Sequence, residues 1–334
     1  MSPIQPALDK AADEIRRAAM RLGYPIRLDL GGLTDRSDSL ALKPPGIWSP
    51  NRSCRLVRAA DGWIAVNLPR PDDTAMIPAW LRRQVTSAPW RALMATARRR
   101  SWRPLVKDAR VLGLAVGRVG EASGLGVRLR RMGTGGRPRR GGPAKVIDLS
   151  SLWAGPLCGA VLAETGAAVV KLESRRRPDV MREGAPTFFD RLNGKKGAGV
   201  FDIASPEDLA WLRGEIAKAD VLITSARPRA FAQAGLEPAD LFAVNPALVW
   251  VAVTGYGFCG RASDRVAFGD DAAAAGGLVR WTRQGEPRFL GDALADPITG
   301  LCATAGALEA LARGGGFLVD APLAACAAQA ARTL

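Results

Sequence analysis

The sequence predicts an α/β protein: a Rossmann-like parallel-sheet domain with a smaller α+β domain in front of it. Three observations carry this. Residues 143–334 alternate short, continuous apolar runs with helical segments, the pattern of strands buried on both faces. Residues 54–68 hold two strand-like runs around Ala60-Asp61-Gly62, a hairpin signal. From Leu125 to Gly142 the composition shifts to Gly, Pro and Arg, the signature of a flexible connection. The expected boundaries are a small domain over 1–124, a basic linker over 125–142 and the Rossmann-like domain over 143–334.

Residues 1–23 read as one amphipathic helix, ending near Gly23 with Pro25 just beyond. The stretch 24–53 is rich in Pro, Gly, Ser and Asp and reads as loop. CRLVRA and WIAVNL form the hairpin strands, and helices are expected over about 72–86, 88–100 and 101–113. In the second domain KVIDL, AVVKLE, VLIT (221–224), LVWVAV (248–253) and FLVDA are expected strands. The expected helices cover about 156–165, 206–218, 229–234, 271–278 and 298–313. Ser205 is placed to cap the 206–218 helix, with Pro206 at its first position.

Composition excludes several chemistries. The chain has 334 residues and no histidine. Ser-His-Asp and Cys-His catalysis are therefore ruled out, and so is any histidine-based metal site. The five cysteines are far apart and form no CxxC pair, so neither a disulfide framework nor a metal site is expected. No apolar run approaches the ~20 residues of a membrane span. The first residues lack the apolar core of a secretory signal, so a cytoplasmic location is expected. The formal charge of +15 favours polyanions or phosphorylated cofactors without choosing among them. Nucleic acid is not the expected partner, because no aromatic residues interleave with the arginines of 125–142 to stack on bases.

Five segments of the second domain, in order, carry a resemblance. They are VIDLSSLWAGPLCGAVLAETGAAVVKLES (146–174), LNGKKGAGVFDI (192–203), ADVLITSARPRAFAQAGL (219–236), NPALVWVAVTGYGFCG (245–260) and GDALADPITG (291–300). Together they resemble the class III CoA-transferases, which include formyl-CoA and carnitine-type members. RLVRAADGWIAVNL and LVKDARVLGLAVGRV (105–119) are similar to that family's small domain. There the small domain follows the Rossmann domain, so the order here is expected to be permuted. The resemblance implies a homodimer, with an acyl-CoA and a carboxylic acid as substrates, coenzyme A as the carried group and no metal.

The residues point to the same ligand. The Ser150–Pro156 stretch follows the first strand and opens a helix, so its N–H groups, with Ala154, Gly155 and Pro156, are candidates to hold a phosphate or thioester oxygen. A tight strand–helix turn that requires Gly155 is the alternative. Lys195, Lys196 and Arg227 are candidates to neutralise CoA phosphates. No GxGxxG follows the first strand, so a nicotinamide cofactor is not expected. The resemblance further implies attack on the thioester by an aspartate, giving a mixed anhydride and free CoA thiolate. Without gaps, that aspartate's position is Gly269, and Asp270 and Asp271 follow it. Either is a candidate nucleophile, the alternative being that they cap the helix. A degenerate CoA-binding subunit is then the competing expectation. Asp296 resembles in position the aspartate of related racemases, but without a histidine as second base racemisation is not expected.

Overall fold

A computed structural model describes residues 3–24, 26–85, 87–136 and 143–334. The chain opens with α1 (Gln5–Arg21) and one turn of helix, α2 (Gly31–Thr34). A small unit follows, made of β1 (Cys54–Ala59), β2 (Gly62–Asn67), α3 (Pro71–Ala75), α4 (Ile77–Leu81), α5 (Pro89–Ala97), α6 (Trp102–Val111) and β3 (Ala115–Arg118). The expected hairpin is present, with Ala59 opposite Gly62 and Cys54 opposite Asn67. β3 adds antiparallel to the other side of β2. Alternation gives this sheet two buried faces. Val57, Ile64 and Val66 meet α4, α5 and α6, while Cys54, Leu56 and Ala65 point the other way.

The larger body contains β4 (Arg128–Arg131), β5 (Lys145–Leu149), α7 (Ala154–Glu164), β6 (Ala168–Ser174), α8 (Met181–Gly184), α9 (Pro186–Asn193) and β7 (Gly197–Phe201). It continues through α10 (Pro206–Ala217), β8 (Val221–Thr224), α11 (Pro228–Gln233), α12 (Pro238–Val244) and β9 (Val249–Thr254). It ends with α13 (Gly269–Ala275), the hairpin β10 (Val279–Trp281) and β11 (Pro287–Phe289), α14 (Ala295–Ala312), β12 (Phe317–Pro322) and α15 (Leu323–Ala330). Seven strands form one sheet in the order β4-β12-β9-β8-β5-β6-β7. Every neighbouring pair is parallel except β4 with β12. The continuous apolar strands bury both faces, as a parallel sheet requires. Val249, Val251 and Val253 face α7 and α14, whereas Leu248, Trp250 and Ala252 face α10, α11 and α12.

Three expectations need correction. The N-terminal helix does not belong to the small domain. Leu8, Ala11, Ile15, Ala18 and Ala19 of α1 are buried in the same core as α14. Residues 1–124 are thus split between two bodies, because the apolar face of α1 fits a helix distant in sequence. The basic stretch expected to be a flexible linker is structured where it is described. Arg128–Arg131 pairs with β12, Arg130 bonds to Asp320 at 3.2 Å, and Arg131 donates to the Gly315 carbonyl at 2.7 Å. Residues 137–142 of that linker lie outside the described residues. Finally, GAGVF, which is not among the expected strands, forms the edge strand β7. Its glycines carry no side chain to announce a strand, and Gly199 leaves room that Leu172 of β6 fills. Among the described residues no helix is long and apolar enough to cross a membrane.

Since Ile15 is fully buried against α14, Ile15→Ala is expected to cost about 2–5 kcal/mol. Urea unfolding followed by far-UV dichroism should show the main transition moving to lower denaturant. A loss confined to a minor early transition would contradict the assignment of α1 to the main core.

Candidate active site

The turn between β5 and α7 is held by two buried lysines. Asp148, near the end of β5, is fully buried and accepts from Lys196 Nζ at 2.7 Å, from the Ser150 N–H at 2.9 Å and from the Ser150 hydroxyl. Burial alone would raise its carboxyl, but Lys196 and Lys171 hold it below its ordinary value. Lys196 also donates to the Pro156 carbonyl at 2.8 Å and to Asn193 Oδ1 at 2.9 Å. From the other side Lys171 donates to the Ser150 carbonyl at 2.8 Å and to Asp179 at 3.2 Å. Asp179 in turn accepts the Leu152 N–H at 3.1 Å. Leu152 sits at φ 70°, a left-handed conformation that a leucine adopts only under constraint.

These bonds revise the roles expected of the turn. The N–H groups of Ser150, Ser151 and Leu152 point to Asp148, Ser225 and Asp179. Ala154, Gly155 and Pro156 form the first turn of α7 and are buried. Gly155 is required by packing, since a Cβ there would lie 2.3 Å from Ser150 Cβ. Lys196 is a structural cation with its charge already paired. Lys195 is exposed and paired with Glu164 at 2.6 Å. Arg227 is exposed at the start of α11, beyond the end of β8, with Arg229, Arg70 and Asp264 as electrostatic neighbours. Of the three expected cations, Arg227 faces solvent at the carboxyl ends of the strands, where ligands bind such sheets.

The carboxylates gather at the start of α13, where the small unit docks on the large body. Asp270 accepts from Asn51 Nδ2 at 3.1 Å and from the Ala293 N–H at 2.8 Å. Asp271 accepts from Asn67 Nδ2 at 2.9 Å and from the Phe268 N–H at 2.9 Å, which caps the helix. Both are buried, at 2% and 0% exposure. Asp271 caps α13, and both carboxylates accept amide donors from the N-terminal part of the chain, Asn51 and Asn67. Asp296, in the first turn of α14, is partly exposed. Arg36 pairs with Asp292 at 2.6 Å beside it and stacks over the Trp153 ring at 4.7 Å. The Trp153 indole donates to the Leu33 carbonyl at 3.0 Å. Gly300 lets α14 approach the Ala154 carbonyl, where a Cβ would lie at 2.7 Å. The 150–156 turn and the carboxylates therefore share one corner. Ala293, like Leu152, is a non-glycine residue at positive φ, 45°, in one of the loops that build it.

Burial pushes these carboxyls up: Asp270 to about 6, Asp271 to about 7 and Asp296 to about 7. Neighbouring carboxylates add to the rise, and Arg36 opposes it at Asp270 and Asp296. Arg36, Asn51, Asn67, Lys171 and Asp179 were not foreseen as site residues. The sequence signal for Asn67 was available: it shares the strand face of Leu56 and Ala65 by the period of two. Arg36 lies in an irregular stretch that carries no such pattern. Among the described residues no cluster of metal-ligating side chains occurs.

The three raised carboxyls bind protons more tightly in the folded chain than at their ordinary value of 3.8. The stability they contribute is full below about pH 4 and is lost as pH rises through about 6 to 7. Asp271→Asn keeps the volume and an acceptor oxygen, so melting temperatures measured at pH 5 and pH 8 should differ less in the variant than in the wild type. A larger difference in the variant would count against a buried, proton-binding Asp271. Lys196→Met strands Asp148 without its partner and is expected to cost about 3–5 kcal/mol in chemical denaturation. A cost under ~1 kcal/mol would show that water reaches the pair.

Residues 143–333 match the model of the CoA-transferase family III. A succinyl-CoA–D-citramalate CoA-transferase of Chloroflexus aurantiacus is 31% identical over 183 residues, covering 52% of this chain and 46% of that protein. A succinate–glutarate CoA-transferase of Agrobacterium fabrum is 29% identical over 198 residues, covering 54% and 50%. The crystal structure of a CAIB/BAIF family protein from Brucella suis superposes with a TM-score of 0.51 at 31% identity, over 55% of this chain and 53% of that one. The chain spans about half the length of the curated relatives it matches. With the matched region covering more than half of its residues, the chain belongs to the CoA-transferase family III.

Proposed function

We propose that this chain binds acyl-CoA at the carboxyl ends of β5, β6 and β8 and moves CoA between an acyl-CoA and a carboxylic acid. One juxtaposition supports the reading. The rigid 150–156 turn and the carboxyls at the starts of α13 and α14 meet at Trp153, Arg36 and Gly300. Arg227, with Arg229 and Arg70 near it, supplies positive charge for the CoA phosphates beyond β8. In the reaction a carboxylate oxygen attacks the thioester carbonyl, the C–S bond breaks, and CoA leaves as the thiolate. The thiolate then attacks the aspartyl carbonyl of the mixed anhydride, so the donor acid leaves and CoA is held on the enzyme carboxyl; the acceptor carboxylate attacks that thioester and expels the thiolate, which attacks the acceptor carbonyl of the new anhydride, giving the product acyl-CoA and the free aspartate. No metal has a part in this scheme. A homodimer belongs to the proposal and predicts a light-scattering mass near twice 35.3 kDa.

A second reading has a specific observation behind it. Gly269 stands where the family resemblance locates the nucleophile, and its two acidic neighbours are sealed in the docking interface. A CoA-binding subunit without turnover would have these features.

Two measurements separate the readings. Saturating CoA or succinyl-CoA should raise the melting temperature, since a ligand at 100 times its Kd stabilises by about 2.7 kcal/mol. Radiolabelled succinate should exchange into succinyl-CoA, with glutarate, malate and citramalate then tried as acceptors. Stabilisation without exchange across that panel would select the binding-subunit reading. No stabilisation by any acyl-CoA would remove both.

A further inference from the structure

We infer that Asp271 is held as a neutral carboxylic acid that donates from Oδ2 to Asn67 Oδ1, so that one proton locks the small unit onto the large body. This pairing is independent of whether the chain transfers CoA.

The Asp271 carboxyl is served on one oxygen alone. Asn67 Nδ2 and the Phe268 N–H both donate to Oδ1, each at 2.9 Å. Among the described residues Oδ2 is buried without a hydrogen-bond partner, and so is Asn67 Oδ1. The two orphaned acceptors thus belong to side chains that already share a bond. Two bare acceptors cannot satisfy each other, and leaving both buried is costly. A proton on Oδ2 resolves both at once. Oδ2 becomes a donor, Asn67 Oδ1 accepts from it, and a ring closes in which amide and acid each give and take one hydrogen bond. Asp270, the preceding residue, has the other pattern. The Ala293 N–H serves its Oδ1 and Asn51 serves its Oδ2, so neither oxygen calls for a proton.

The surroundings favour the neutral acid. Burial pushes the Asp271 carboxyl up to about 7, with Asp270 adding to the rise and the bonds from Asn67 and Phe268 opposing it. Asp296 faces it from α14, the Cys54 thiol from β1 and the Tyr256 hydroxyl from the loop after β9. β2 presents the neutral Asn67, and α15 only the Cys326 thiol. The one charged residue of β3, Arg118, is exposed and lies over the Trp102 ring. Arg265 and Glu121, beside Tyr256, pair with each other, and Arg70 lies over the Phe268 ring.

Losing the proton to solvent leaves a carboxylate oxygen facing an amide oxygen across the seam between the bodies. The folded chain binds this proton more tightly than the unfolded one, so the stabilisation is complete below about pH 4 and disappears as pH rises through about 7. The neighbouring backbone bonds of the seam, from the Gly120 N–H to the Ala274 carbonyl at 3.0 Å and from the Ala122 N–H to the Ala275 carbonyl at 2.9 Å, then open more often.

Three measurements on the full chain test this. Infrared difference spectra of wild type against Asp271→Asn should contain the carbonyl stretch of a protonated carboxylic acid at pH 6, fading towards pH 8. A carboxylate signature at pH 6 overturns the inference. An asparagine at 271 reproduces the donor and acceptor of the neutral acid. The variant should therefore match the wild type in melting temperature at pH 5 and exceed it at pH 8 by about 2–4 °C, roughly a tenfold gain in the folding equilibrium. A variant that is less stable than the wild type at both pH values, or that fails to fold, also overturns the inference, because that loss is what replacing an ionised carboxylate would produce. Hydrogen exchange of the wild type needs no variant. Corrected for the intrinsic rate, protection of the Gly120 and Ala122 amides should fall between pH 6 and pH 8 by more than that of Val251 in β9. Protection that stays constant, or falls equally at all three amides, shows that the proton does not lock the seam.

Discussion

Two carboxyl groups at the start of α13 are buried and take their partners from within the protein. That need ties the two bodies of the chain together. Asp271 takes its amide from Asn67, the last residue of β2, and Asp270 takes its amide from Asn51 and a backbone donor from Ala293. An unsatisfied buried carboxyl costs far more than one matched by donors, so these pairings set the register in which the small sheet sits on the large body. Backbone bonds from Gly120 to the Ala274 carbonyl and from Ala122 to the Ala275 carbonyl extend the same seam along α13. Gly117 takes part by leaving space: a Cβ there would lie 2.5 Å from the Tyr256 hydroxyl.

The second constraint is the closeness of α7 and α14. Gly155 and Gly300 remove the side chains that would hold these helices and the turn apart. The approach brings two buried lysines, Lys171 and Lys196, under the loop between β5 and α7, each on a carboxylate and a backbone carbonyl. Ion pairs of this kind add little net stability over apolar packing, but breaking one is costly. Their effect here is geometric. They keep Leu152 in a left-handed conformation and pin the turn that faces the carboxyl corner.

Charge is distributed in keeping with this plan. Much of the arginine excess that makes the formal charge +15 is engaged locally. Arg131 lies over Phe317, Arg265 over Tyr256, Arg182 over Phe189 and Arg36 over Trp153. Guanidinium planes on aromatic faces contribute packing as well as charge, so a high arginine count alone does not indicate a polyanion site. Lys196 illustrates the same point: by sequence it is one of two adjacent cations in a glycine-rich turn, and in three dimensions it is buried on Asp148, the Pro156 carbonyl and Asn193.

The sequence by itself determined five of the six parallel strands, the hairpin and the family. Those depend on short-range signals: continuous apolar runs, a period of two, turn residues and motifs in a fixed order. KVIDL, AVVKLE, VLIT, LVWVAV and FLVDA all became strands of one sheet for that reason. The tertiary structure decided what each polar residue faces. α1 packs on a helix almost three hundred residues later, β4 completes the sheet beside β12, and Arg36 reaches Asp292 from a stretch with no regular pattern. The same holds for the carboxyls. Asp270 and Asp271 looked alike and available in the linear order, and Asp296 lay twenty-five residues beyond them. Only the folded chain seals the first two behind Asn51 and Asn67 and brings Asp296 into the space that Gly269 leaves empty, because burial and contact are properties of where elements cross and not of the residues that compose them.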